Sequence, residues 1–290
     1  MSRGGVATYV YAVVASPAPP DLATVPPGLA AAPPGLPGTS VPRALALAPE
    51  LWVVVADAPL GSYGSDALAD GMADLSWVSD RALAHEAMVE RLAAAGTVVP
   101  MKLFTLFASD ERALAELRAR REALERVLAR IAGCAEWGVR ILWDEARARQ
   151  MQPPREARDS DAGGAVSGRA FLVRKKQLRD SFRELARAAR GESERLFGEL
   201  AEMAREARRR AAPDEETGAR LLLDANFLVP DGAAAAFEGA VRRRADRLAE
   251  TAAELTLSGP WPAYNFVAGA EGEAEGGDEA GGPASRREGS

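Results

Sequence analysis

The sequence predicts an α+β protein with two domains, an N-terminal ferredoxin-like sandwich and a C-terminal α+β domain that contains a long helix. The chain has 290 residues, more than the ~100–200 residues of a usual domain. Hydrophobic residues make up 47% of it, enough for folded cores. Runs rich in β-formers alternate with runs of helical periodicity on both sides of Gly133. The predicted boundaries are residues 1–133, residues 134–267 and a disordered acidic tail at residues 268–290.

The first domain is predicted to begin with strands. Residues 6–15 are dense in Val and Tyr, as expected of a buried strand. A proline-rich loop is predicted at residues 16–39, because proline cannot donate a ladder hydrogen bond. Residues 41–48 and 51–56 then read as a strand pair.

Two helices and one further strand complete the predicted first domain. Asp80 is predicted to cap a helix, since its carboxylate can accept the free amide hydrogens of the first turn. Residues 97–108 are rich in β-formers, and Pro100 indicates a strand end or bulge. Ser109 then opens a second helix. The order strand, strand pair, helix, strand, helix is close to that of a ferredoxin-like sandwich.

The second domain is predicted to contain three strands, two helices and a flexible loop. The loop, residues 145–168, combines prolines, glycines and charges with little apolar content. A long helix is predicted from Gly168 to about Ala212. The predicted strands are residues 136–144, 220–229 and 254–258, and the second helix is residues 233–253.

Composition argues against several classes of function. Cys134 is the only cysteine and His85 the only histidine, which excludes an intramolecular disulfide and a His-rich metal site. The formal net charge of −6 argues against a nucleic-acid partner, which needs clustered Lys and Arg. No apolar run reaches the roughly 18–20 residues of a membrane span, and no glycine motif for phosphate or dinucleotide binding occurs. We therefore expect a cytoplasmic protein with no cofactor, metal, nucleic-acid partner or membrane partner.

His85 is the one candidate general base in the sequence. No serine or cysteine nucleophile with a recognisable elbow accompanies it, and its place beside the apolar stripe of a predicted helix suits packing. We therefore expect a packing or domain-interface role and no catalytic residue, with a small hydrolase that uses His85 as an alternative.

Two groups of arginines could form a basic face for an acidic partner. They are the arginines at positions 205, 208, 209 and 210 and those at positions 242, 243 and 244. Acidic neighbours interleave with them, so a solvated helix face is the favoured interpretation.

The most unusual stretch is SGPWPAYNFV, residues 258–267. Trp261 stands between two prolines, and Tyr264 and Phe266 follow at alternate positions. Aromatic side chains on a stiff segment bury much apolar area at low entropic cost. They either complete the core of the second domain or form a domain seam or partner surface, so Trp261, Tyr264, Phe266 and His85 are the candidate protein-binding or domain-interface residues.

Five segments resemble one protein family in the same order along the chain. GPWPAYNF resembles the GPWPPYSF-type ending of the GvpL/GvpF gas vesicle family. TYVYAVV, VVPMKLFTLFAS, GRAFLVRKK and DANFLVP are similar to earlier segments of that family. Leu103 and Phe104 depart from the pattern, because the family has Phe-Gly at these positions.

The resemblance implies an accessory or minor structural protein of gas vesicle assembly. Such a protein would bind the main hydrophobic shell protein, GvpA, or other gas vesicle proteins, in a chaperone-like or nucleation role and without enzymatic activity. Its location would be the gas vesicle. The alternative from another class is a regulatory module that binds a small molecule through its ferredoxin-like domain.

Overall fold

The computed structural model describes residues 5–22, 35–151, 168–210 and 219–267. Within them lie two antiparallel sheets, each packed against helices, and one helix of 36 residues. The predicted α+β class with a long helix is confirmed.

The first sheet and its helices come from the first half of the chain. Their bounds are β1 Val6–Ala15, β2 Arg43–Ala48, β3 Leu51–Pro59, α1 Leu60–Tyr63, α2 Ser65–Gly71, α3 Leu75–Ala93, β4 Thr97–Pro100, β5 Leu106–Phe107, α4 Asp110–Ala119 and α5 Arg121–Ile131. The sheet order is β2-β3-β1-β4, with β5 also pairing with β1, and every pair is antiparallel.

Helices cover both faces of the first sheet. Val10 and Val13 of β1 belong to a core shared with α4 and α5. Tyr9, Tyr11 and Val14 face the opposite way, into a core shared with α3. A ferredoxin-like unit has its helices on one face of its sheet. The first half has the strand order of such a unit, but its helices lie on both faces and give it three layers.

The second sheet repeats the strand order of the first. Its elements are β6 Cys134–Asp144, α6 Glu145–Gln150, α7 Gly168–Met203, β7 Glu206–Arg209, β8 Ala219–Pro230, α8 Ala234–Ala249 and β9 Ala253–Trp261, with 3-10 turns at Asp231–Ala233 and Tyr264–Phe266. The order β7-β8-β6-β9 again places the first strand of the unit between its third and fourth. Helices α7 and α8 share a core on one face of this sheet, so the second half has the complete ferredoxin-like pattern.

Helix starts follow capping chemistry, although one cap was wrongly predicted. Helix α3 begins at Leu75, where the carboxylate of Asp74 accepts hydrogen bonds from the backbone N–H groups of Ser76 and Trp77. Asp80 lies inside this helix, because residues 75–79 already continue its turns. The predicted cap at Ser109 is confirmed, since its hydroxyl accepts from the N–H of Arg112.

The predicted long helix extends past the end of the observed one. Helix α7 ends at Met203, and residues 206–209 form an edge strand instead. Ala207 pairs with Phe227 of β8 in that strand, so contacts distant in sequence override local helical preference. The predicted loop at 145–168 begins with the short helix α6, which Asp144 caps. Residues 152–167, the greater part of the proline-rich loop (residues 23–34) and the predicted tail at 268–290 lie outside the described residues.

Candidate functional site

His85 lies on α3 with a buried side chain. Its Nε2 lies 3.0 Å from the carbonyl oxygen of Met101 and its Nδ1 lies 2.6 Å from the hydroxyl of Tyr9. Because a carbonyl only accepts, Nε2 carries the proton and Nδ1 accepts from Tyr9. The ring of Tyr11 stacks on the imidazole at 5.8 Å.

Burial lowers the pKa of His85 to about 4, although its hydrogen bond to Met101 opposes the shift. The ring is therefore neutral at pH 7. Both ring nitrogens are engaged, so neither is available to a substrate. His85 joins α3 to β1 and to the chain that follows β4, an arrangement that favours packing over general-base catalysis.

The segment of residues 259–267, hereafter the terminal segment, begins as the end of β9. Trp261 is paired with Glu136 at the start of β6. Gly259 has φ +115°, and a Cβ there would lie 2.7 Å from the carbonyl oxygen of Glu136. Glycine is therefore required at position 259, where the terminal segment passes close to the backbone of β6.

Beyond β9 the terminal segment reaches the cores of the first half. Phe266 is fully buried, in the core that contains Val10 and Val13 of β1 and Leu228 of β8. Tyr264 packs against the other core of the first sheet, with Tyr9 and Tyr11. The aromatic residues that could have completed the second domain's own core thus lie between the halves of the chain.

Asn265 fixes the terminal segment between these two aromatic side chains. The Glu136 carboxylate accepts from its backbone N–H at 2.8 Å and from its side-chain amide. Arg208 of β7 donates to its carbonyl oxygen, and Arg130 of α5 donates to the carbonyl oxygen of Phe266. Burial raises the pKa of Glu136, against the lowering effect of the hydrogen bonds from Asn265.

Glu136 and Arg208 were not predicted as positioning residues. The signal for Glu136 was present, since this acid occupies a strand position in the otherwise apolar run EWGVRILWD. It is 4% exposed, and a buried carboxylate needs partners. Which residues supply them depends on the path of the terminal segment, which strand periodicity does not contain.

A cleft of about 820 Å³ lies between the two sheets, beside the terminal segment. It is lined by Glu90, residues 93–98, Ile131, residues 133–135, Asp231 and residues 260–263. Trp261 is 39% exposed in this cleft. Strands β4 and β9 each end their sheet's order, so edges of both sheets border one cleft. Its charged lining residues, among those described, are the acids Glu90 and Asp231.

The sequence model of one family matches almost the entire described chain. That family is described as "Gas vesicle synthesis protein GvpL/GvpF", and the match covers residues 7–268. The chain belongs to the GvpL/GvpF family. It is therefore a gas vesicle protein.

Individual relatives agree with this assignment. Gas vesicle protein L of Streptomyces sp. (strain CB03234) is 28% identical over 252 residues, which cover 84% of this chain and 90% of the relative. The crystal structure of GvpF from Anabaena sp. PCC7120 has a TM-score of 0.61 at 18% identity and covers 91% of this chain and 98% of its own. GvpF from Microcystis aeruginosa gives 0.59 at 16% identity, with 90% and 98% covered. These two structures support the fold.

Phe104, which departs from the GvpL/GvpF pattern, has an unusual backbone conformation. Phe104 adopts φ +66°, the left-handed region that glycine occupies without steric cost. Its ring lies 5.5 Å from that of Trp77, and the Arg81 guanidinium lies 3.7 Å above the Trp77 ring. A side chain thus occupies a backbone position that suits the family's glycine.

Five of the seven arginines considered as a basic face form ion pairs within the described residues. Arg209 pairs with Glu194, Arg242 with Glu238, and both Arg243 and Arg244 with Glu199. Arg208 pairs with Glu206 and also donates to Asn265, as described above.

None of the helices in the described ranges is both long and apolar enough to cross a membrane. No group of three or more His, Cys, Asp or Glu side chains placed to hold a metal ion occurs within the same ranges.

Proposed function

We propose that this GvpL/GvpF family protein is a non-enzymatic accessory or minor structural protein that binds the main hydrophobic shell protein, GvpA, or other gas vesicle proteins. Its role would be chaperone-like or nucleating, at the growing gas vesicle in the cytoplasm. The observation that carries the proposal is the cleft in which Trp261 is exposed beside the edges of two sheets.

The chemistry of a shell subunit explains why such a cleft is useful. A subunit that assembles through apolar and β surfaces aggregates when these surfaces are free. An extended segment can add to an open sheet edge through backbone hydrogen bonds, while side chains fill neighbouring pockets. Strand β4, strand β9 and the indole of Trp261 offer both kinds of contact in one place. An apolar segment without excess acids would suit the Glu90 and Asp231 lining.

The test is co-expression with the main shell protein, followed by affinity capture and sizing of the complex. We expect co-purification that Trp261→Ala weakens about tenfold, as for a partly buried aromatic anchor at an interface. Leu75→Ala is the matched control, because Leu75 is 83% exposed and lies at the other end of α3 from the cleft. Both variants are first shown to fold by thermal unfolding.

Three results would count against the proposal. The shell protein could stay insoluble with none captured, alone or with the other accessory proteins. Capture could also be indifferent to Trp261→Ala, or equally weakened by Leu75→Ala; either result removes the cleft as the docking surface.

The second candidate is the small-molecule regulatory module. The cleft volume of about 820 Å³ falls within the ~300–1,000 Å³ of ligand pockets. A thermal shift screen with nucleotides and amino acids tests it. A saturable shift that Trp261→Ala removes would favour this function over shell-protein binding.

A further inference from the structure

The first half of α7 carries a stripe of exposed basic side chains. Its members are Lys176, Arg179, Arg183, Arg187 and Arg190, spaced by three and four residues. This spacing places them on one face of the helix, away from the buried positions Ala189, Leu196 and Leu200. We call these five residues the basic stripe. Asp180 and Glu184 are the acids between residues 174 and 190, against seven basic residues.

The basic stripe differs from the arginines around the second half of α7. There Arg195 pairs with Glu192, Arg209 with Glu194, and Arg244 with both Glu192 and Glu199. No member of the basic stripe forms an ion pair within the described residues. Like charges at helical spacing repel one another. A row of five cations with only Asp180 and Glu184 beside it on the helix, and with no ion pair formed to either, therefore favours an anionic partner.

The chain itself contains an anionic segment of matching size. Residues 271–279 read EGEAEGGDE, with five acids and no basic residue. Nine residues in extended form span about 30 Å, and the fourteen-residue interval of the basic stripe rises about 21 Å along the helix. Five carboxylates can therefore face five cations along comparable lengths.

The last described residues contact β7, and β7 in turn contacts α7. Arg208 on one face of β7 donates to Asn265 of the terminal segment, while Arg209 on the opposite face pairs with Glu194 of α7. Glu194 is one helical turn beyond Arg190. The acidic segment begins four residues after Val267, the last described residue, and so within about 13 Å of it at full extension.

We propose that residues 271–279 of this chain bind the basic stripe of the same molecule. The contact shields the stripe, so that another anionic partner must displace the acidic segment to reach α7. This inference is independent of shell-protein binding in the cleft, because the stripe and the cleft share no residue.

Carbodiimide cross-linking of the full-length protein tests the contact. The reagent joins a carboxylate to an amine, and the chain has only three lysines, Lys102, Lys175 and Lys176. Peptide mass spectrometry should find Lys176 or Lys175 joined to acids of residues 271–279, and Lys102 not so joined. A mixture of isotope-labelled and unlabelled protein distinguishes links within one molecule from links between copies.

Charge variants make the test specific. Arg183→Gln/Arg187→Gln should reduce these links about fivefold, because two exposed ion pairs of ordinary strength are lost while both reactive lysines remain. Arg112→Gln/Arg126→Gln removes the same charge from exposed positions on α4 and α5 and should leave the yield unchanged. About 1 M salt should abolish the links, since the screening length falls to about 3 Å.

Other outcomes overturn the proposal. Coupling of Lys175 and Lys176 only to Asp214, Glu215 or Glu216 would assign the stripe to a different acidic segment. Links found only between labelled and unlabelled copies would make the contact intermolecular. No link to residues 271–279, or equal loss in the two double variants, would remove the contact altogether.

Discussion

Glu136 accepts hydrogen bonds from both the backbone N–H and the side-chain amide of Asn265, so the first strand of the second sheet holds the segment that enters the first half's cores. The two aromatic residues that flank Asn265 reach different cores, Tyr264 the one beside α3 and Phe266 the one beside α4 and α5. The predicted boundary between residues 133 and 134 therefore separates two sheets whose packing is shared, and the division of the chain into two domains stays a prediction.

Phe266→Ala should destabilise the whole protein strongly. Phe266 is fully buried, and truncating a buried phenylalanine costs about 3–5 kcal/mol through lost transfer free energy and the cavity left behind. Trp261→Ala should cost about 1 kcal/mol or less, because surface substitutions usually have small effects and Trp261 is 39% exposed. Urea unfolding followed by circular dichroism gives both values. Equal costs for the two variants would show that Phe266 does not join the halves.

Tyr264→Phe should preserve or increase stability. The Tyr264 hydroxyl is buried with no hydrogen-bond partner among the described residues, and burial raises its pKa above the ordinary value. A buried hydroxyl without a partner costs about 1–3 kcal/mol, and phenylalanine keeps the ring while removing that group. Thermal unfolding of Tyr264→Phe beside Tyr264→Ala separates the hydroxyl from the ring. A lower unfolding temperature for Tyr264→Phe would mean that the hydroxyl has a partner after all.

At position 104, glycine should give a more stable protein than alanine, which is the reverse of their usual order. A side chain in the left-handed region costs about 1–2 kcal/mol, and Phe104 has φ +66°. Both Phe104→Gly and Phe104→Ala lose the contact with Trp77, but only glycine relieves the backbone. Phe104→Gly should therefore be more stable than Phe104→Ala by about 1 kcal/mol, measured by urea unfolding. The opposite order would show that residue 104 leaves the left-handed region in the variants.

Most strand positions could be predicted from the sequence, but the pairing of the strands could not. The run of Val and Tyr at residues 6–15, the alternation near Glu136 and the strand before Pro230 all became strands at the predicted places. Strand β7 was not predicted because the residues EARR do not have the pattern of a strand. The strand forms through its pairing with β8. The cap of α3 was misplaced because Asp74 and Asp80 are chemically equivalent candidates, and only the position of residues 75–79 decides between them.

The candidate site was predictable as a set of residues and not as an arrangement. Trp261, Tyr264 and Phe266 were recognisable from the stiff aromatic segment, yet each has a different environment in the fold: the cleft, the α3 core and the α4–α5 core. These environments depend on how two sheets with the same strand order are placed together, and periodicity within each strand carries no information on that placement.

The buried His85 makes the protein sensitive to mild acid. Its pKa is about 4 in the fold because burial disfavours the charged ring, against about 6.5 in an unfolded chain. Between these values the unfolded chain binds a proton that the folded protein does not, so stability rises with pH across this window and is lost as pH falls through it. The full loss from pH 7 to pH 4 is about 3 kcal/mol.

His85→Gln is the matched variant, because glutamine can accept from Tyr9 and donate to Met101 but does not titrate. Burial raises the pKa of Glu136, so that carboxyl adds stability as pH falls, and it does so equally in both proteins. The difference between wild type and His85→Gln in urea unfolding at pH 7, 5.5 and 4 therefore isolates the imidazole. It should change in favour of the variant by about 3 kcal/mol. Parallel profiles would mean that His85 is protonated in the folded protein, and the neutral ring between Tyr9 and Met101 would be the wrong assignment.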